Sequence, residues 1–120
     1  MDLRSHDIGA VEDFKSGMPR RVQVDGRALV VVRNLEEFHV LRDTCPHQGA
    51  RLSDGRVGGV ASECEAGRGI TYERMGEILT CPWHGWEYDL QTGRPLVASN
   101  RNRVRTFRVQ VESGRVIVFT

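Results

Sequence analysis

The sequence predicts an all-β domain, and three observations carry that prediction. Apolar residues alternate with polar ones near both ends of the chain, at Val22 and Val24 and again at Phe107, Val109 and Val111. Two dipeptides suited to tight turns, Asp25-Gly26 and Ser113-Gly114, each stand between apolar runs. Sustained helical periodicity is absent. A period of two turns one face of a strand toward a core and the other toward water, and such dipeptides accept the positive φ of a two-residue hairpin. At 120 residues the chain has material for one modest core. It reads as a single domain over 1–120, a small antiparallel β sandwich or partial barrel.

The elements follow in chain order. Ile8, Val11 and Phe14 have the spacing of one or two helical turns, closed by Pro19. Val22 and Val24 mark a strand, and Asp25-Gly26 turns it into Ala28–Val32. A turn around Asn34–Glu37 leads to Phe38 and Val40, which continue the meander. From about Asp43 to Asn100 the composition shifts to Gly, Pro, Cys, His and Trp, without periodicity. That stretch reads as an irregular insertion on a β scaffold, where binding chemistry tends to sit. Phe107–Val111, the Ser113-Gly114 turn and Val116–Phe119 form the closing hairpin.

Charge and hydropathy exclude several function classes. The formal net charge is +1, so there is no basic surplus for nucleic acid and no acidic tail. The longest apolar stretch is Ala28–Val32, far short of the ~20 residues a membrane helix needs. The first ten residues lack the apolar run of a secretory signal, which makes the cytoplasm the expected compartment. Three cysteines, at 45, 64 and 81, are an odd number in such a chain. They argue for metal or redox chemistry over a disulfide framework.

Two short segments concentrate that chemistry. One is Cys45-Pro46-His47-Gln48-Gly49-Ala50, and the other is Cys81-Pro82-Trp83-His84-Gly85-Trp86, followed by Tyr88 and Asp89. Each supplies one thiolate and one imidazole, so two neighbouring loops would present two sulfur and two nitrogen ligands. Spacing alone also permits a structural Cys₂His₂ zinc site in a non-redox interaction module.

The C-x-H and C-x-x-H pair, with Pro46, Gly49, Pro82 and Gly85 around it, resembles the Rieske [2Fe–2S] family. The resemblance implies an antiparallel β sandwich with a cluster-binding loop subdomain, here approximately 43–100, and one [2Fe–2S] cluster per chain. By position, Cys45 and Cys81 would bind one iron and His47 and His84 the other. Two thiolates leave the oxidised site neutral, where four would leave it at 2−. Reduction is therefore easier, with potentials of about −150 to +300 mV against about −400 mV for plant-type ferredoxins. Gly49 and Gly85 are expected to let backbone amides approach the sulfurs, and Pro46 and Pro82 to stiffen the loops.

Differences within the motif refine the expectation. Ala50 and Trp83 stand where the Rieske proteins of respiratory complexes keep an extra disulfide, and Trp86 stands where those proteins keep a serine donor. Tyr88 occupies the position of a tyrosine that donates to a cysteine sulfur. The pattern is similar to the soluble or oxygenase-associated ferredoxin branch. It implies a one-electron carrier between an NAD(P)H-dependent flavin reductase and a terminal oxygenase. A Rieske subunit or domain of a larger oxidoreductase, such as an oxygenase or a nitrite reductase small subunit, is the alternative.

The remaining features read more plainly. Thirty-three residues separate His47 from Cys81, about twice the family spacing, and the surplus is expected as a hairpin excursion at approximately 57–76, flanking the cluster tip. Cys64 reads as an incidental thiol, and His6 and His39 as surface residues. These last two offer no 2-His-1-carboxylate iron site. With no base, nucleophile or phosphate cradle in view, the chain is expected to be no enzyme by itself. Trp83 and Trp86 are expected to shield the cluster, and Asp89 to tie to Arg94 or to end a strand. The run Arg94, Arg101, Arg103, Arg105 and Arg108 reads first as a solvated face and second as a dock for an acidic partner.

Overall fold

The computed structural model describes residues 4–46, 49–63, 70–83, 85–97 and 102–120, with the backbone alone over 60–63 and 70–74. Among these residues the chain forms nine strands. They are β1 (Ser5–Ala10), β2 (Arg20–Val24), β3 (Arg27–Asn34), β4 (Glu37–Arg42), β5 (Arg56–Glu63), β6 (Ile70–Thr80), β7 (Glu87–Asp89), β8 (Thr106–Glu112) and β9 (Arg115–Phe119). A six-stranded sheet runs in the order β1-β9-β8-β4-β3-β2 and a three-stranded sheet in the order β5-β6-β7. All strand pairings are antiparallel. The all-β sandwich class holds, and among the described residues no helix is long and apolar enough to cross a membrane.

Both predicted hairpins form, and their turns show why. Asp25 and Gly26 have φ of 49° and 75°, as do Ser113 and Gly114. Positive φ at both central positions matches the twist of the flanking strands. The helical reading of Ile8, Val11 and Phe14 is corrected. Residues 5–10 form β1 against β9, and only Val11–Asp13 make a single 3₁₀ turn. Ile8 and Val11 pack on the core from that edge, and tertiary pairing overrides a three-residue spacing.

The apolar run at Ala28–Val32 has a clear structural cause: β3 is buried on both faces. Leu29 and Val31 join Phe14, Val24, Val40, Phe107, Val116 and Val118 in one core. Val30 and Val32 join Leu41, Leu52, Leu79, Tyr88, Leu90 and Val104 in a second, which also contains Cys45 and Cys81. The second core lies under the cluster loops.

Strands β5 and β6 form a long hairpin where the excursion was expected. Arg56 pairs with Thr80, next to Cys81, and Glu63 pairs with Ile70 at the far end. Seven residue steps of β5 separate the two ends, roughly 23 Å at a strand rise of 3.3 Å. Among the described residues, the hairpin meets the Cys81 loop at its base, and its strands run away from that end. Between Gly58 and Val60 the register shifts, so that residues 74–77 bulge from β6. At the bulge Gly76 has φ of 82°, and a Cβ there would stand 2.5 Å from the Asn34 side chain. The excursion is thus seated against the turn between β3 and β4, and only glycine fits that seat. Cys64 lies outside the described residues.

Candidate metal centre

Strand β4 delivers the chain to loop 1 (43–54) and β6 delivers it to loop 2 (81–86). The two loops repeat one local geometry. The Cys45 N–H donates to the Ala50 carbonyl at 2.8 Å, and the Cys81 N–H donates to the Trp86 carbonyl at 2.8 Å. Four residues after each cysteine comes a glycine in the left-handed region, Gly49 at φ 76° and Gly85 at φ 68°. A Cβ at either glycine meets nothing within 4 Å. The left-handed conformation itself calls for glycine there. The Gly49 amide itself donates to the Cys45 carbonyl, at 2.8 Å.

The two sulfurs converge. Cys45 is 1% exposed and Cys81 2%, and neither forms a disulfide. Burial pushes the Cys81 thiol up from its ordinary pKa, the Trp83 backbone N–H on its sulfur opposes this, and the neighbouring Cys45 sulfur raises it further. Two adjacent buried sulfurs cannot both ionise without a positive counter-charge between them. A di-iron core would supply that charge, and the two sulfurs it needs already lie side by side, so the sulfur half of the site fits the group. His47 and His84 lie outside the described residues. Among the described residues no three metal-ligating side chains gather.

Tyr88 supports the sulfur side. It sits on β7 opposite Leu79, is fully buried, and holds its Oη 3.4 Å from Cys45 Sγ. With that sulfur held as thiolate, the phenol O–H is the donor. The tryptophans divide: Trp86 packs against the core beneath the loops, whereas Trp83 is 53% exposed. Asp89 ends its strand by accepting the Gln91 and Thr92 amides at 2.8 and 3.1 Å, and it meets Arg94 through the backbone.

Sequence reasoning missed the clamp that closes loop 1. The Asp43 carboxylate is buried two residues before Cys45. It accepts the Ser53 amide at 2.7 Å, the Ser53 hydroxyl at 2.5 Å and Arg21 Nη1 at 2.9 Å. Both feet of loop 1 are thereby pinned to each other and to β2. Residues 21, 43 and 53 are far apart in sequence and form no motif, so no sequence signal announces them.

The other two histidines lie away from the loops and are half-buried, not fully surface-exposed. His6 Nε2 is 2.9 Å from Thr120 Oγ1, and His39 on β4 lies 3.9 Å from the Glu37 carboxylate. Burial lowers the His39 pKa, against the opposing pull of Glu37, Asp89 and Glu77.

Comparison with known proteins agrees with this geometry. Residues 4–108 match the Rieske [2Fe–2S] domain. The chain is 31% identical over 112 residues to Ferredoxin CarAc of Metapseudomonas resinovorans, covering 92% of this chain and 89% of that one. The ferredoxin of carbazole 1,9a-dioxygenase from Nocardioides aromaticivorans IC177 shares the fold, with a TM-score of 0.75 at 24% identity and 95% coverage of both chains. A chain in the complex of reduced oxygenase and oxidized ferredoxin in carbazole 1,9a-dioxygenase superposes with a TM-score of 0.72 at 30% identity, covering 94% of this chain and 99% of that one. The chain belongs to the Rieske [2Fe–2S] family, takes a cluster of that type, and is an electron carrier.

Proposed function

We propose that this chain passes single electrons from an NAD(P)H-dependent flavin reductase to a terminal oxygenase in the cytoplasm, and performs no catalysis of its own. Cys45 and Cys81 hold one iron of the cluster, and His47 and His84 hold the other. The cluster-binding subdomain spans approximately 43–100 within the single domain 1–120, with the excursion at approximately 57–76. The observation that carries this reading is the convergence of two buried sulfurs on two loops of matching geometry, each loop bearing one histidine in its motif. Relatives that are ferredoxins of dioxygenase systems, one solved in complex with its oxygenase, support the choice of acceptor.

When bound, the cluster supplies one-electron chemistry. The protein's part is placement. Pro46 and Pro82 restrict the loops beside each cysteine, and the clamp at Asp43 fixes loop 1, so few protein atoms move when charge is added. The Tyr88 hydroxyl and the Trp83 amide point hydrogen-bond donors at the sulfurs, which favours the more negative state. Leu52, Leu79 and Leu90 close the site from beneath and exclude water.

The test is metal content and spectrum of anaerobically purified protein. Two iron and two acid-labile sulfides per chain are expected. Changing His47→Cys or His84→Cys should lower the reduction potential wherever the cluster still assembles. A colourless protein that binds zinc alone, or a histidine variant with an unaltered spectrum and potential, overturns the ligand assignment.

A further inference from the structure

A groove of about 310 Å³ opens directly beside loop 1, and its walls include Arg42, Cys45, Pro46, Arg103 and Arg105. A second hollow, about 410 Å³, shares Arg42 and Arg105 and adds Arg27. All four arginines are exposed. The fold assembles them from separate segments: the Arg42 amide donates to the Arg105 carbonyl at 2.9 Å, joining the end of β4 to the stretch before β8. Arg103 Nε donates to the Thr92 carbonyl at 3.0 Å, and the Arg105 guanidinium lies 4.8 Å over the Phe107 ring.

Three arginines elsewhere on the molecule are neutralised by carboxylates. Arg21 pairs with Asp43, Arg115 with Asp7 and Arg4 with Asp25. Among the described residues no ion pair joins Arg27, Arg42, Arg103 or Arg105 to a carboxylate. Arg108, which the sequence groups with Arg103 and Arg105, lies instead over Phe119. Among the described residues, these four arginines thus place positive charge without a carboxylate partner in hollows beside one of the cysteine loops.

We propose that this arginine-lined surface is the docking face for the carboxylate-bearing surface of a protein redox partner, steering it to the loop 1 side of the cluster. The proposal rests on the electron-carrier reading. The guanidinium groups spread over two adjoining open hollows and do not converge on one point, which suits an extended acidic protein surface better than a single small anion. Exposed charges of this kind act mainly on the rate of encounter, and guanidinium forks pair with carboxylates bidentately.

The test uses the intact iron-loaded protein, reduced and freed of reductant, in stopped-flow oxidation. Ferricyanide, a trianion, takes one electron and becomes ferrocyanide. Hexaamminecobalt(III), a trication, takes one electron and becomes cobalt(II). In each case the cluster returns to its oxidised state. The variant R42Q/R103Q/R105Q should react with ferricyanide about tenfold or more slowly at low ionic strength, from several-fold per lost charge at ~10 Å. Its reaction with the cobalt reagent should not slow. R42K/R103K/R105K should keep the wild-type rate and salt dependence, which separates charge from packing. Poly-L-glutamate, standing in for an acidic surface, should slow ferricyanide oxidation of the wild type and leave the glutamine variant untouched. An unchanged ferricyanide rate in a glutamine variant of normal visible spectrum overturns the docking face while the carrier reading stands, and so does indifference of the wild type to polyglutamate. Refusal of both oxidants by a reduced protein overturns the carrier reading itself.

Discussion

Replacing Asp43 with alanine should be among the most damaging single changes outside the ligands. The carboxylate has no exposed surface and receives three hydrogen bonds, two from Ser53 and one from Arg21. Removing one member of a buried ion pair costs about 3–5 kcal/mol. Arg21 keeps 30% of its side chain exposed and can rehydrate when abandoned, so about 3 kcal/mol is expected for Asp43→Ala. Against a total of about 5–15 kcal/mol, that is a large fraction of the stability. At about 4 °C per kcal/mol for a chain of this size, the midpoint should fall by roughly 12 °C. Ser53→Ala keeps the amide donor and loses one hydroxyl, about 1 kcal/mol, and Asp43→Asn should fall between the two. Melting of the iron-loaded protein, followed by far-ultraviolet dichroism and visible absorbance together, measures the series. An Asp43→Ala protein that melts with the wild type, or no lower than Ser53→Ala, would refute the clamp.

Three further outcomes follow from the same geometry. Tyr88→Phe removes the O–H···S hydrogen bond while the ring stays; if that bond favours the reduced state by roughly 1 kcal/mol, the potential should drop by about 40 mV, at 59 mV per tenfold for one electron, and protein-film voltammetry reads it. Burial lowers the folded pKa of His39, so the unfolded chain binds the extra proton first; stability should be intact above about pH 6.5 and decline as pH falls from there through the lowered value. His39→Gln should flatten that decline in urea titrations run across the window. Gly76→Ala demands a left-handed backbone, about 1–2 kcal/mol, and drives its Cβ into Asn34; adding Asn34→Gly should recover only the collision part in the same urea assay.

The strands were legible because their causes are local. Val22 and Val24 alternate, and Asp25-Gly26 and Ser113-Gly114 accept two consecutive positive φ values, so both hairpins follow from neighbours in sequence. Ala28–Val32 gave the location of β3 but not its two-sided burial, since an apolar run does not say which partners cover each face. The segment around Ile8 was misread because three apolar residues at helical spacing weigh less than an edge pairing with β9, more than a hundred residues away. The cysteines and Tyr88 were legible through their motif. The clamp on loop 1 was not, because Arg21, Asp43 and Ser53 acquire meaning only when β2, β4 and the 3₁₀ turn at Leu52–Asp54 come together. The direction of the excursion was hidden for the same reason: it depends on which end of β6 meets Cys81 and on a bulge seated against Asn34.

The placement of the two sulfurs connects folding with electron transfer. Cys45 and Cys81 do not hang from the scaffold; they are members of the same core as Val30, Val32, Leu41, Leu79 and Tyr88. That core joins the six-stranded sheet to the three-stranded one, and β3 divides it from the other core of Leu29, Val31 and Phe107. Without metal, two adjacent thiols stand buried among leucines, and the ionisation that iron requires is opposed by that same burial. Iron held by these sulfurs, as proposed above, would remove the conflict, and its binding free energy would stabilise the packing of β5, β6 and β7 against the larger sheet. The residues that exclude water and aim hydrogen bonds at the sulfurs would thereby be the residues whose packing the metal secures. A stiff, dry setting for the redox change is then a consequence of building the site inside a core.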